Sequence, residues 1–131
     1  MIYLDTILLI DDNEADNYFH ERILRKLQAA EQIVPCHYST VAIEMLRNET
    51  VRPDLILLDI NMPRSNGWEF LTEYKSLPAS IRQSIQIAVL STSQNPEDKS
   101  RAEDLLGEGH FIAKPLCKES YSALVNRLFS A

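Results

Sequence analysis

The stretch Asp54-Leu55-Ile56-Leu57-Leu58-Asp59-Ile60-Asn61-Met62-Pro63 constrains this chain more than any other. Four apolar residues in a row, bounded by Pro53 on one side and Met62-Pro63 on the other, predict a buried strand. A strand covered on both faces gives a continuous apolar run, as the inner strands of a parallel sheet do. The run ends in a carboxylate, Asp59, and the turn formers Pro63 and Asn66-Gly67 follow. Ligands of an open α/β sheet bind outside the carboxyl ends of its strands, so Asp59 stands where chemistry is expected. Taken alone, it reads more readily as a helix cap or the opening of a turn.

A second acidic strand end changes that balance. Ile7-Leu8-Leu9-Ile10 is another apolar run, and it ends in Asp11-Asp12. If the two strands are neighbours, three carboxylates share one edge of the sheet. Like charges so close are costly unless protons or a cation compensate them. A hard divalent cation with oxygen ligands, above all Mg²⁺, suits such a cluster.

The rest of the chain narrows the function classes. At 131 residues it fits one domain spanning 1–131, large enough for a hydrophobic core, with no output domain expected. The formal net charge of −6, with Lys and Arg scattered, argues against a nucleic-acid surface. No apolar stretch is long enough to span a membrane and no signal-peptide pattern is present, so a cytoplasmic protein without membrane partners is expected. Cys36 and Cys117 fit no metal or redox spacing and read as free thiols.

In chain order, residues 6–10 form the first strand. An amphipathic helix follows over about 14–29, with Tyr18, Phe19, Ile23, Leu24 and Leu27 as its packing face. Residues 33–38 predict a second strand, and Pro35 within it demands an edge position. Thr40 can cap a short helix carrying Val41, Ile43, Met45 and Leu46. The strand ending at Asp59 comes next. A third helix opens at Asn66 or Gly67, packs through Trp68, Phe70, Leu71 and Tyr74, and closes at Leu77-Pro78.

Residues 85–90 make a fourth strand, ending in the hydroxyl run Ser91-Thr92-Ser93. Pro96-Glu97-Asp98 opens a charged fourth helix that stops near Gly107 and Gly109. Residues 110–113 form a short fifth strand running into Lys114-Pro115, and a last helix over about 118–129 turns Tyr121, Leu124, Val125 and Leu128 inward. Strand and helix alternate five times, so the fold class is α/β: a doubly wound parallel sheet, flavodoxin-like (βα)5 with strand order 2-1-3-4-5. That order makes the first and third strands neighbours and turns Asp11, Asp12 and Asp59 toward one crevice.

The acids after the first strand, Asp59-Ile-Asn-Met-Pro with Gly67 beyond, Leu-Ser-Thr-Ser after the fourth strand and Lys114-Pro115 after the fifth together resemble the receiver domain of bacterial response regulators. The resemblance covers nearly the whole chain and is similar to stand-alone regulators of the chemotaxis type. It implies that Asp59 is the phosphoacceptor. It further implies that Asp12, Asp59 and the backbone carbonyl of Asn61 ligate Mg²⁺, with Asp11 acting mainly through a bound water. Lys114 becomes the cationic partner of Asp59 and then of the phosphoryl group, its bond to Pro115 cis. The hydroxyl that meets the phosphoryl group stays open: Leu90-Ser91 looks like the usual strand ending, whereas counting back from Lys114 points to Thr92 unless the next loop carries an extra residue. Ser91 is preferred.

Phe111, three residues before Lys114, matches the aromatic switch position. It would join Arg101, Asp104 and Ser122 on an output surface, while Asn17, Tyr18 and Arg22 would face the phosphodonor. His20, His37 and His110 read as ordinary helix or strand residues. The implied partners are a histidine kinase or histidine phosphotransfer protein and a downstream protein. The protein is expected to be a signalling module, not an enzyme beyond slow self-phosphorylation and dephosphorylation. Two alternatives are a Mg²⁺-dependent phosphohydrolase of the haloacid dehalogenase type and a degenerate receiver used as a binding scaffold. The phosphohydrolase wants an acid where Asn61 stands and a cap insertion for which no segment is long enough.

Overall fold

The computed structural model of the chain describes residues 2–60, 67–91 and 96–129. The expected Asn61 carbonyl ligand, the Met62-Pro63 and Asn66 turn positions and the alternative hydroxyls Thr92 and Ser93 lie outside the described residues. The elements run β1 (Leu4–Ile10), α1 (Glu14–Lys26), β2 (Ala30–Cys36), α2 (Ser39–Arg47), β3 (Leu55–Asp59), α3 (Gly67–Lys75), α4 (Ala79–Arg82), β4 (Gln86–Ser91), α5 (Pro96–Leu106), β5 (Phe111–Ala113) and α6 (Lys118–Phe129). All five strands are parallel, in the order β2-β1-β3-β4-β5. The order read from the sequence is the order observed, with Pro35 on the edge strand.

Strand alternation divides the core in two. Odd-numbered residues of β1 and β3, Ile7, Leu9, Leu55 and Leu57, join Leu24 of α1 and Tyr121, Leu124 and Val125 of α6. The even-numbered Leu8, Ile10, Ile56 and Leu58 join α2, α3 and α5 through Leu46, Phe70, Leu71 and Ala102. Every side chain of β3 is buried, as its uninterrupted apolar run requires. Among the described residues no helix is long and apolar enough to cross a membrane.

Several boundaries and faces differ from the sequence reading. β1 begins two residues early, where Asp54 Oδ2 accepts from the backbone of Asp5 (2.8 Å) and Thr6 (3.2 Å) and holds the strand start in the sheet. β2 begins at Ala30, three residues before the expected start, and stops at Cys36. The residue capping α2 is Tyr38, not Thr40, and it makes no side-chain cap bond. Pro78 opens a one-turn helix, α4, that no apolar periodicity announced, so the helix expected as the fourth is α5 and the last is α6.

The largest correction concerns α1. Tyr18 and Phe19, expected to pack inward, are 62% and 49% exposed, while Asn17 and His20 are buried beside Leu24. The inward stripe is Asn17, His20 and Leu24, at three- and four-residue spacing. Its first two members are polar, so a search for apolar periodicity settles on the wrong face.

Candidate phosphoryl-transfer site

The ends of β1, β3 and β5 build the site through the same alternation that divides the core. Asp11, Asp59 and Lys114 each lie two residues beyond a core residue of the α1/α6 face, namely Leu9, Leu57 and Ile112. Side chains two apart on a strand point to one side, so the three converge. Lys114 Nζ lies 3.1 Å from Asp11 Oδ2 and 3.5 Å from Asp59 Oδ2. All three side chains are nearly buried, and the Lys114–Pro115 peptide bond is cis.

Asp12 and Ser91 obey the opposite parity. They follow Ile10 and Val89, which belong to the α2/α3/α5 face. Ser91, the last residue of β4, is fully buried, and its carbonyl accepts the backbone N–H of Lys114 at 2.8 Å. Phe111 pairs with Val89 in the ladder and packs, partly buried, against that same face. Ser91 and Phe111 are therefore near neighbours on one side of the sheet, with the carboxylate of Asp59 starting from the other.

A third carboxylate that sequence reading missed completes the Lys114 contacts. Asp16, in the first turn of α1, places Oδ2 3.1 Å from Nζ. α1 is held at this end by Asn13, whose side chain caps it by accepting from the Asp16 N–H at 3.0 Å, and whose own N–H donates to Asp11 Oδ1 at 3.0 Å. Asn17 fastens the other side. Its Nδ2 lies 3.0 Å from the Asp11 carbonyl, 3.1 Å from that of Cys36 and 3.3 Å from His37 Nδ1. Asn17 is thus a tie between the ends of β1 and β2, and at 1% exposure it cannot belong to the donor-facing surface expected of it. Tyr18 and Arg22 are exposed, with the Arg22 guanidinium over the Tyr18 ring.

Electrostatics follow from this geometry. Burial disfavours a charged ammonium at Lys114, but Asp59, Asp11 and Asp16 outweigh it and raise its pKa above the ordinary lysine value. Burial also lowers the pKa of His20, and the nearby Lys114 charge pushes it the same way against the opposing pull of Asp11 and Asp16. His20 is buried, within electrostatic reach of Lys114, Asp11 and Asp16. His37 and His110 bond to other elements, the former with Asn17 Nδ2 at 3.3 Å and the latter between Nδ1 and the Ile87 carbonyl at 2.7 Å. Both cysteines are free thiols.

Among the described residues, no three His, Cys, Asp or Glu side chains group closely enough to hold a metal ion by themselves. Carboxylates this close need protons or a cation to compensate them. Lys114 already stands between Asp11 and Asp59 in that role, so Mg²⁺ is not needed to explain their proximity.

Gly67 fixes the approach of α3 to this edge. A Cβ at that position would lie 2.8 Å from Ile60 Cγ2, 2.9 Å from Ile60 Cα and 3.0 Å from the Asp59 carbonyl oxygen. Only a residue without a side chain lets the helix start against the strand end that carries Asp59.

Comparisons with known proteins agree with this arrangement. The family model described as "Response regulator receiver domain" matches residues 7–126. Response regulator Rcp1 of Synechocystis is 33% identical over 97 residues, covering 70% of this chain and 65% of its own length. The next two curated relatives are spanned over only 15% and 29% of their length, so this chain matches a part of longer proteins. Among solved structures, a two component response regulator from Cytophaga hutchinsonii superposes with a TM-score of 0.87 at 30% identity, covering 99% of this chain and all of that one. A response regulator receiver protein from Dyadobacter fermentans gives 0.86 at 27% identity, with the same coverage.

Proposed function

This chain belongs to the response regulator receiver domain family, and from that premise we propose that it is a phosphoacceptor switch in which Asp59 takes a phosphoryl group from a phosphohistidine donor. The observation that carries the reading is the convergence of Asp11 and Asp59 on Lys114 at the carboxyl edge of the sheet. An Asp59 carboxylate oxygen attacks phosphorus, the bond from phosphorus to the donor histidine nitrogen breaks, and an acyl phosphate forms. The donor is a histidine kinase or a histidine phosphotransfer protein.

Asp12, Asp59 and the carbonyl of Asn61 would hold Mg²⁺, with Asp11 reaching it through water. The donor set fits that ion: it is all oxygen, and Mg²⁺ keeps several waters and needs only one or two carboxylates beside a phosphate. When bound, Mg²⁺ neutralises the acids and the phosphoryl oxygens. Lys114 supplies the second positive charge and holds a phosphoryl oxygen once Asp59 is modified. Asn17, buried beneath the start of α1, holds the end of β1 that carries Asp11 through its bond to the Asp11 carbonyl.

The switch reading rests on the other face. A phosphoryl group extending beyond the strand ends offers Ser91 an acceptor, and a turn of that hydroxyl toward it changes the packing beside Phe111. Phe111 lacks a hydroxyl, so packing alone biases its two arrangements. The surface altered would include Arg101, Asp104 and Ser122 and would meet the downstream protein. We take residues 1–131 as a single receiver unit whose own catalysis is limited to slow gain and loss of the phosphoryl group.

Incubation with acetyl phosphate and Mg²⁺ tests this. One phosphoryl group labile to base and hydroxylamine, absent in Asp59→Asn and released slowly, is the expected result. Rapid turnover of small phosphomonoesters would mark a phosphohydrolase, and no labelling at all would mark a scaffold.

A further inference from the structure

Lys114 is shared more widely than phosphoacceptor chemistry at Asp59 requires. Its ammonium has three N–H donors. Two shorter contacts, both 3.1 Å, go to Asp11 and to Asp16, and the contact to Asp59 is longer at 3.5 Å. Asp16 is also the acid of the three that is not confined to the strand ends. It sits on α1, 98 positions away from Lys114 in sequence, and its side chain is 44% exposed while that of Lys114 is only 9% exposed. A carboxylate from the rim thus reaches in and draws the ammonium toward the helix.

We propose that Asp16 is a positioning residue that competes with the Asp59-bound phosphoryl group for Lys114, holding the ammonium in the arrangement of the unphosphorylated protein. The inference rests on the reading of Asp59 as phosphoacceptor. A phosphoryl oxygen on Asp59 needs an N–H from Lys114, and an ammonium that turns one donor to it weakens a carboxylate contact. Asp11 is buried and its Oδ1 is engaged by the Asn13 N–H, so its place is fixed. Asp16 is the partner that can leave for water at small cost.

The effect is that of a half-exposed ion pair. Removing the Asp16 charge should tighten binding of a phosphoryl mimic by about two- to fivefold. The probe is beryllium fluoride with Mg²⁺, titrated calorimetrically into wild type, Asp16→Asn, Asp16→Ala and Glu14→Gln. Asparagine keeps the size of the side chain and its ability to accept a hydrogen bond. Glu14 is exposed in the same turn and lies outside the Lys114 contacts, so its variant reports bulk charge alone. Tighter binding in both Asp16 variants, with Glu14→Gln like wild type, is the expected outcome. Unchanged or weaker binding in the Asp16 variants, or equal tightening in Glu14→Gln, overturns the inference while leaving Asp59 as acceptor. If wild type takes up no beryllium fluoride, both fall together.

Discussion

Lys114 is one cation among three carboxylates, and that imbalance has thermodynamic consequences that can be measured. Without divalent cations, Lys114→Met removes the positive charge that Lys114 holds against the buried Asp11 and Asp59, which should destabilise the fold by about 3–5 kcal/mol. Asp59→Asn has the opposite sign. It removes one of the mutually repelling acids and leaves Lys114 with Asp11 and Asp16, so stability should hold or rise by about 1 kcal/mol. Urea unfolding of the two variants beside wild type checks both. A large loss in Asp59→Asn would mean that its carboxylate is structural. The raised pKa of Lys114 adds a pH limit: its contribution is complete below the ordinary lysine value of 10.5 and is lost as pH climbs through the higher folded-state value.

At the scale of elements, α1 and α3 are set against the site by residues whose polarity or smallness hides their role. Gly67→Ala would drive a methyl group against the backbone of Asp59 and Ile60, which cannot move aside as a side-chain tip can. It should cost about 1–3 kcal/mol by chemical unfolding, and no loss would show that α3 has room to retreat. His20 gives α1 an acid limit. Its pKa is lowered in the folded state, so the unfolded chain binds more protons below the ordinary histidine value of 6.5 and stability falls as pH drops through that window. Between about pH 8 and about pH 5, His20→Gln should flatten that part of the stability profile; an unaltered profile would place the acid sensitivity elsewhere.

These same elements explain what could be read in advance. Buried strands announce themselves as apolar runs, and Pro35 by itself sends β2 to the edge, so the sheet order and the meeting of Asp11 with Asp59 were legible, while Lys114 joined them only through the family resemblance. The inner face of α1 was not, because Asn17 and His20 face a polar site rather than a hydrocarbon core. The contact of Asp16 with Lys114 was also invisible. A carboxylate in the first turn of a helix has an ordinary explanation in the helix dipole, and its partner is set only by tertiary structure.

For the whole molecule, one rule places the parts. Alternation along five parallel strands assigns Asp11, Asp59 and Lys114 to the face covered by α1 and α6. Ser91 and Phe111 fall to the face covered by α2, α3 and α5. A group bound at Asp59 that grew beyond the strand ends would be in a position to connect the two faces, which is how the proposed switch would act. The central claim is that Asp59 is the residue modified. Borohydride reduction of the protein after exposure to acetyl phosphate and Mg²⁺ converts an aspartyl phosphate to homoserine, and peptide mass analysis locates it. Homoserine at position 59 and nowhere else is the predicted result; homoserine at Asp11, Asp12 or Asp16, or none at all, would contradict the account.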